Sequence, residues 1–151
     1  MREQRADARR NHELLVLAAR EVFAEQGADA PLEAVARRAG VGNATMYRHF
    51  ASRQELLLAV YADDIVVLCA QAARCADAFD WLWSVVEHLA TTRDIALVLV
   101  SGDYTGPLVS TATRLFGEVG GEALMLAAGV ALAPAERRER LFAVLRRGLS
   151  G

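Results

Sequence analysis

The segment Leu32–Phe50, LEAVARRAGVGNATMYRHF, constrains this chain more than any other. Two short helical patterns, to about Ala39 and from about Asn43 to His49, are separated only by Gly40-Val41-Gly42, so the backbone must turn sharply there. Helices joined so tightly cross at close range. They need a small residue where they touch, a glycine in the turn, and apolar residues locking both to a common core. Ala36 is the small residue, Gly40 makes the turn, and Val35, Ala39, Val41, Met46 and Phe50 fall where the shared core should be. If Met46 and Phe50 point inward, then Thr45, Arg48 and His49 project from the opposite side, with Asn43 at the start of the helix.

That pattern is a helix-turn-helix, and the projecting side chains suit a DNA major groove. Arg48 can make a bidentate contact to guanine, Thr45 can meet a thymine methyl or a phosphate, and Asn43 can pair with adenine or hold the backbone. His49 belongs to the same outward set. Tyr47 is expected to give its hydroxyl to a phosphate, a contact that positions without specifying. Arg53, in the first turn of the next helix, is placed for a second phosphate.

The flanking sequence reads as helix throughout. From about Arg9 to Gln26, Leu15, Ala18, Ala19, Val22 and Phe23 recur at helical spacing, and Gly27 is a natural stop. Pro31 suits the first turn of the second helix. Ser52-Arg53-Gln54-Glu55 has the capping-box form and should open a long helix to about Ala76, with Leu56, Ala59, Val60 and Val67 on one side. Further helices are expected after Asp77 or Asp80, over Ile95–Val100, from Leu108 to Val119 with a stop at Gly120-Gly121, over Glu122–Leu132, and over Ala135–Leu149. The run Ile95–Val100 has strand propensity, but a lone strand would have no partner.

Ala39-Gly40-Val41-Gly42-Asn43-Ala44-Thr45-Met46-Tyr47-Arg48-His49-Phe50 followed by Ser52-Arg53-Gln54-Glu55-Leu56 resembles the TetR family of transcriptional regulators, and the likeness runs from Arg9 to about Val60. The resemblance implies an all-α homodimer. An N-terminal three-helix head (residues 1–52) would bind a palindromic double-stranded DNA operator, and a C-terminal helical body (53–151) would dimerise and release DNA when a small apolar or amphipathic effector binds. The final two helices correspond to the family's dimer-forming pair. Gly42 stands where a Ser is common, Arg53 where a Lys is common, and Pro31 where a Thr often begins the helix. The resemblance implies a longer body than this one, and Glu118–Gly121 and Ala133-Pro134 are the joints where loop or helix would be absent, either because this member is compact or because the sequence lacks segments.

Composition fits this reading. All 17 basic residues are Arg. Through Arg53 nine Arg face seven acidic residues, whereas from Gln54 onward eight face twelve, so a mildly basic head precedes an acidic body. Hydrophobic residues reach 54%, yet no run of about 18 uninterrupted apolar residues appears, and MREQRADARR lacks the apolar core of a secretory signal. A cytoplasmic location away from membranes is expected. Cys69 and Cys75 read as small core residues on different helix faces that should not pair, and His12, His49 and His88 form no metal-ligand spacing, so no cofactor or metal is expected. No paired carboxylates or nucleophile with its base have catalytic spacing, so an enzyme is not expected. Trp81, Trp83, His88, Tyr104 and Met125 are the candidates to line an effector cavity, with ordinary core packing as the alternative for the tryptophans. The competing functional reading is a DNA-binding regulator with no small-molecule effector, controlled by a protein partner or by concentration.

Overall fold

The computed structural model describes residues 1–151 and is all helical. It divides into two compact units, Met1–Ala62 and Asp63–Gly151. The division falls one helix beyond the boundary expected after residue 52.

The first unit contains α1 (Arg2–Gln26), α2 (Leu32–Ala39), α3 (Asn43–His49) and α4 (Arg53–Val60). Leu15, Ala18, Ala19, Val22 and Phe23 form the buried stripe of α1, which packs on α2 and α4. Before Asn11 every residue of the chain is exposed, so α1 extends well ahead of its expected start as a polar rod without a buried side. Gly27, at φ 87°, ends the helix, and Pro31 is the N-cap of α2 rather than part of its first turn. Arg38 of α2 reaches back to Glu21 (3.2 Å) and Glu25 (2.8 Å) on α1. Its guanidinium, hydrogen-bonded to Glu25, holds that carboxyl below its ordinary 4.5. Such an exposed link adds little stability. Because the folded value is lowered, what it adds is present above 4.5 and is lost as the pH falls through the lowered value.

α4 belongs to this unit because it packs on α1: Leu56, Leu57 and Val60 are buried, and the Arg20 guanidinium donates to the Val60 carbonyl at 3.0 Å. That bond also marks where the long helix expected to reach Ala76 breaks. The chain turns at Tyr61, continues as α5 (Ala62–Gln71) and leaves the helix well before Asp77. Val67, expected on the apolar side, is exposed; Ile65 and Leu68 carry the buried face. Cys69 and Cys75 are free and half-buried rather than in the core.

The second unit continues with α6 (Ala78–Thr91), α7 (Arg93–Val100), α8 (Pro107–Phe116), α9 (Gly120–Leu132) and α10 (Ala135–Ser150). Asp77 caps α6, accepting from the Phe79 and Asp80 amides at 2.8 and 2.9 Å. α9 is the central element. It packs against α6, α7, α8 and α10 and buries Gly120, Ala123, Leu124, Ala127, Ala128, Val130 and Ala131. The stop expected at Gly120-Gly121 lies instead at Gly117, whose φ of 69° ends α8 and opens a short 3-10 turn over Gly117–Val119. Gly120 begins α9, and a Cβ there would come within 2.4 Å of the Ala112 and Thr113 backbone. Pro107–Leu132 is one segment long and apolar enough to cross a membrane, but the 3-10 turn divides it, and α9 lays one buried side against four neighbouring helices while Leu126 stays exposed.

Gly120→Val should therefore lower the stability of this unit by about 1–3 kcal/mol, the usual cost of overpacking. Thermal unfolding of the variant followed by circular dichroism checks this, and an unchanged midpoint would contradict the close α8–α9 approach.

Candidate nucleic-acid interface

The turn between α2 and α3 rests on Gly40, which takes the left-handed conformation (φ 72°, ψ 28°) that residues with a Cβ resist. The Val41 amide then donates to the Ala36 carbonyl at 3.0 Å, closing α2 from beyond its end. Val35 and Ala36 are fully buried, as is Met46 on α3, and Phe50 beyond it is 4% exposed. Ala39 and Val41, expected in the same core, lie half-buried at its edge. With the Met46 side of α3 committed to the core, Asn43, Ala44, Tyr47 and Arg48 are exposed, while Thr45 and His49 are half-buried at the margin.

These side chains are not idle in the free protein. Arg48 folds back along its own helix, its Nη2 donating to Thr45 Oγ1 at 3.3 Å and its Nε to the Ala44 carbonyl at 3.4 Å. His49 turns toward α1, its ring 6.2 Å from that of His12, which lies 4.8 Å from Phe50. Thr45, Arg48 and His49 share a hollow of about 320 Å³ with Gln4, Asp7 and Asn11 of the α1 extension. No apolar periodicity precedes Arg9, so nothing local in the sequence announces these α1 neighbours.

Tyr47 and Arg53 differ most from expectation. The Tyr47 hydroxyl, expected to be free for a phosphate, donates to Glu33 Oε1 at 3.3 Å. Its phenol titrates above the ordinary 10.0, raised first by partial desolvation and then by the Glu33 charge and hydrogen bond, with Arg53 opposing. Arg53 Nη1 donates to the carbonyls of Ala28 and Ala30 at 2.5 and 2.6 Å. It thereby ties the α1–α2 loop to the start of α4, a task that leaves one nitrogen of its planar fork fully engaged. Ser52 caps α4 by accepting from the Glu55 amide at 3.2 Å, and the Glu55 carboxylate accepts from the Ala51 amide at 3.0 Å, one residue earlier than the ideal capping box.

The five residues expected around an effector do not converge. Trp81 is fully buried, with its indole N–H donating to the Leu68 carbonyl at 2.8 Å. Trp83 packs against Phe142, ring centroids 4.9 Å apart, and His88 lies 3.8 Å from the Asp64 carboxylate. Only Tyr104 and Met125 meet, lining a cavity of about 350 Å³ with Leu99, Val109, Glu122 and Leu124. The Tyr104 hydroxyl is buried, and desolvation raises its phenol above the ordinary value, with the Leu108 backbone opposing.

Arg53→Met should lower unfolding stability by about 1.5–3 kcal/mol, the usual worth of hydrogen bonds to a charged donor. Urea unfolding measures this directly, and unchanged stability would show that Arg53 does not clamp the loop in solution.

Comparison with known proteins locates the likeness in the same unit. Residues 15–60 match the family described as "Bacterial regulatory proteins, tetR family". The uncharacterized HTH-type transcriptional regulator TtgW of Pseudomonas putida is 42% identical over 62 residues, 40% of this chain and 46% of the relative. The HTH-type transcriptional activator FasR of Mycolicibacterium smegmatis is 42% identical over 64 residues, covering 40% of this chain and 29% of the relative. The HTH-type transcriptional regulator SrpR of Pseudomonas putida is 42% identical over 62 residues, again 40% and 29%. The matched stretch thus spans less than half the length of each of these relatives.

Proposed function

Since the N-terminal unit of this chain belongs to the tetR family of bacterial regulatory proteins, we propose that the protein is a sequence-specific DNA-binding transcriptional regulator, a cytoplasmic homodimeric repressor that a small apolar or amphipathic effector releases from its operator. The observation that carries the DNA-binding reading is the orientation of α3: Met46 and Phe50 are buried while Tyr47 and Arg48 stand outside. A short helix anchored on one side and polar on the other is what a major groove accepts.

In this reading Arg48 leaves its intrahelical bonds to read guanine, Thr45 and Asn43 contribute base or backbone contacts, and His49 flanks them from the α1 side. Tyr47 and the unengaged part of the Arg53 fork take phosphates. Dimerisation is supported by Leu141 and Val144 of α10 and Leu126 of α9, which are 40%, 54% and 48% exposed although apolar. Their burial against a symmetry mate would form a four-helix interface. The effector reading rests on the cavity beside Tyr104 and Met125, whose size falls in the lower part of the range used by small-molecule sites.

A second reading, regulation without a small effector, is favoured by the commitment of Trp81, Trp83 and His88 to partners within their own unit. The relative FasR, named as an activator, leaves open the same sign of control for this chain.

Selection of bound sequences from random duplexes tests the central reading. Arg48→Ala should change the preferred bases, with a cost of about 1–3 kcal/mol at the position it reads. Equal loss on every duplex would refute its reading role. Val144→Glu should convert the dimer to monomers in size-exclusion chromatography with light scattering and weaken operator binding; a dimer that persists would put the interface elsewhere. Small molecules can then be screened for release of the selected duplex, and the effector arm fails if none that occupies the Tyr104 cavity alters binding.

A further inference from the structure

The contact between Glu33 and Tyr47 joins the two helices of the motif across their exposed side. Glu33 lies in the first turn of α2, and the Tyr47 hydroxyl is the one hydrogen-bonding partner it has; it takes part in no ion pair. Tyr47 is 45% exposed, on the same outward side of α3 as Arg48. A phenol carries a single hydrogen to donate, so a carboxylate and a phosphate oxygen compete for the same proton.

We propose that Glu33 sets the DNA affinity of the head by holding the Tyr47 hydroxyl in the free protein, so that a phosphate gains that donor only by displacing the Glu33 carboxylate. This rests on the DNA-binding reading and adds to it an acidic residue that opposes binding. Glu33 acts twice. It satisfies the hydroxyl before DNA arrives, and it places a negative charge one hydrogen bond from where the phosphate must sit, in a region where the nearby Arg53 charge has already been drawn toward the Ala28 and Ala30 carbonyls. The raised phenol titration of Tyr47 accords with a carboxylate close by. Glu33 is thus a positioning residue that acts through Tyr47 and tunes affinity without reading a base.

The test measures binding of a duplex taken from the random selection, by fluorescence anisotropy at one fixed salt concentration, for the wild type, Glu33→Ala, Tyr47→Phe and the double variant. Glu33→Ala should tighten binding roughly 3- to 10-fold, the scale of one intramolecular hydrogen bond. In the Tyr47→Phe background the same substitution should tighten binding by a clearly smaller factor, because the contested donor is gone and only the repulsion of the Glu33 charge remains. Glu33→Gln, which keeps an acceptor but removes the charge, should tighten binding by a smaller factor and guards against a local packing effect of Ala. Ultraviolet titration of the free protein supplies a readout without DNA: the phenol assigned to Tyr47 by difference from Tyr47→Phe should titrate lower in Glu33→Ala, since the removed carboxylate raised it.

Unchanged or weaker binding by a folded Glu33→Ala overturns the proposal, and so does an equal gain in the Tyr47→Phe background, which would make Glu33 a bare repulsive charge. An unmoved titration overturns the bond itself. A wild type that binds no duplex at all overturns the regulator reading and this inference together, whereas a wild type that binds with no effect of Glu33 overturns this inference alone.

Discussion

The left-handed turn at Gly40 is the constraint on which the rest of the head depends. It lets the Val41 amide reach the Ala36 carbonyl, and that bond fixes where α3 leaves α2 and which side of α3 meets the core. Once Met46 is buried, helical periodicity leaves no freedom in what remains outside. The chemical character of the exposed side therefore follows from a backbone conformation several residues earlier. A residue with a Cβ at position 40 would strain the turn even though there is open space around it, because the difficulty is the torsion angle and not a clash.

The charges of the head are organised around the same geometry. Arg38 bridges to two glutamates of α1, Arg20 caps the carbonyl of Val60, and Arg53 holds two carbonyls of the α1–α2 loop. Several of the arginines that make the head mildly basic are thus committed to internal bonds. The guanidinium suits this work because its planar fork can satisfy carbonyls and carboxylates that an ammonium would serve less directionally. Arg48, by contrast, is bonded only to its own helix through long contacts, which cost little to give up.

Much of this was legible in the sequence, for identifiable reasons. Ala36, Gly40, Met46 and Phe50 could be assigned because a close helix crossing restricts residue size and torsion at fixed spacings. The run Ile95–Val100 could be read as helix because a single strand would have had no partner, and it lies within α7. What could not be read were bonds made by long side chains across sequence distance. The Arg20–Val60 contact that accompanies the break at Tyr61 has no glycine or proline to announce it, and neither Tyr47–Glu33 nor the loop clamp of Arg53 has a local pattern. The first seven residues of α1 escaped for the opposite reason: a helix without a buried side carries no apolar periodicity. Trp81 and Trp83, singled out by size, proved to be engaged by Leu68 and Phe142, since aromatic bulk alone does not separate a pocket wall from a core anchor.

The small residues of α9 have a consequence for how the second unit can change. Gly120, Ala123, Ala127, Ala128 and Ala131 have almost no rotamers to freeze, so α9 docks among its neighbours with little loss of side-chain entropy. Closeness rather than bulk holds it, and at Gly120 even the methyl group of an alanine would meet the Ala112 and Thr113 backbone. Met125, half-buried, lines the cavity on the same helix, whereas Leu124 beside it is fully buried. The wall of the cavity can therefore be reshaped at Met125 without touching the close helix contact at Gly120.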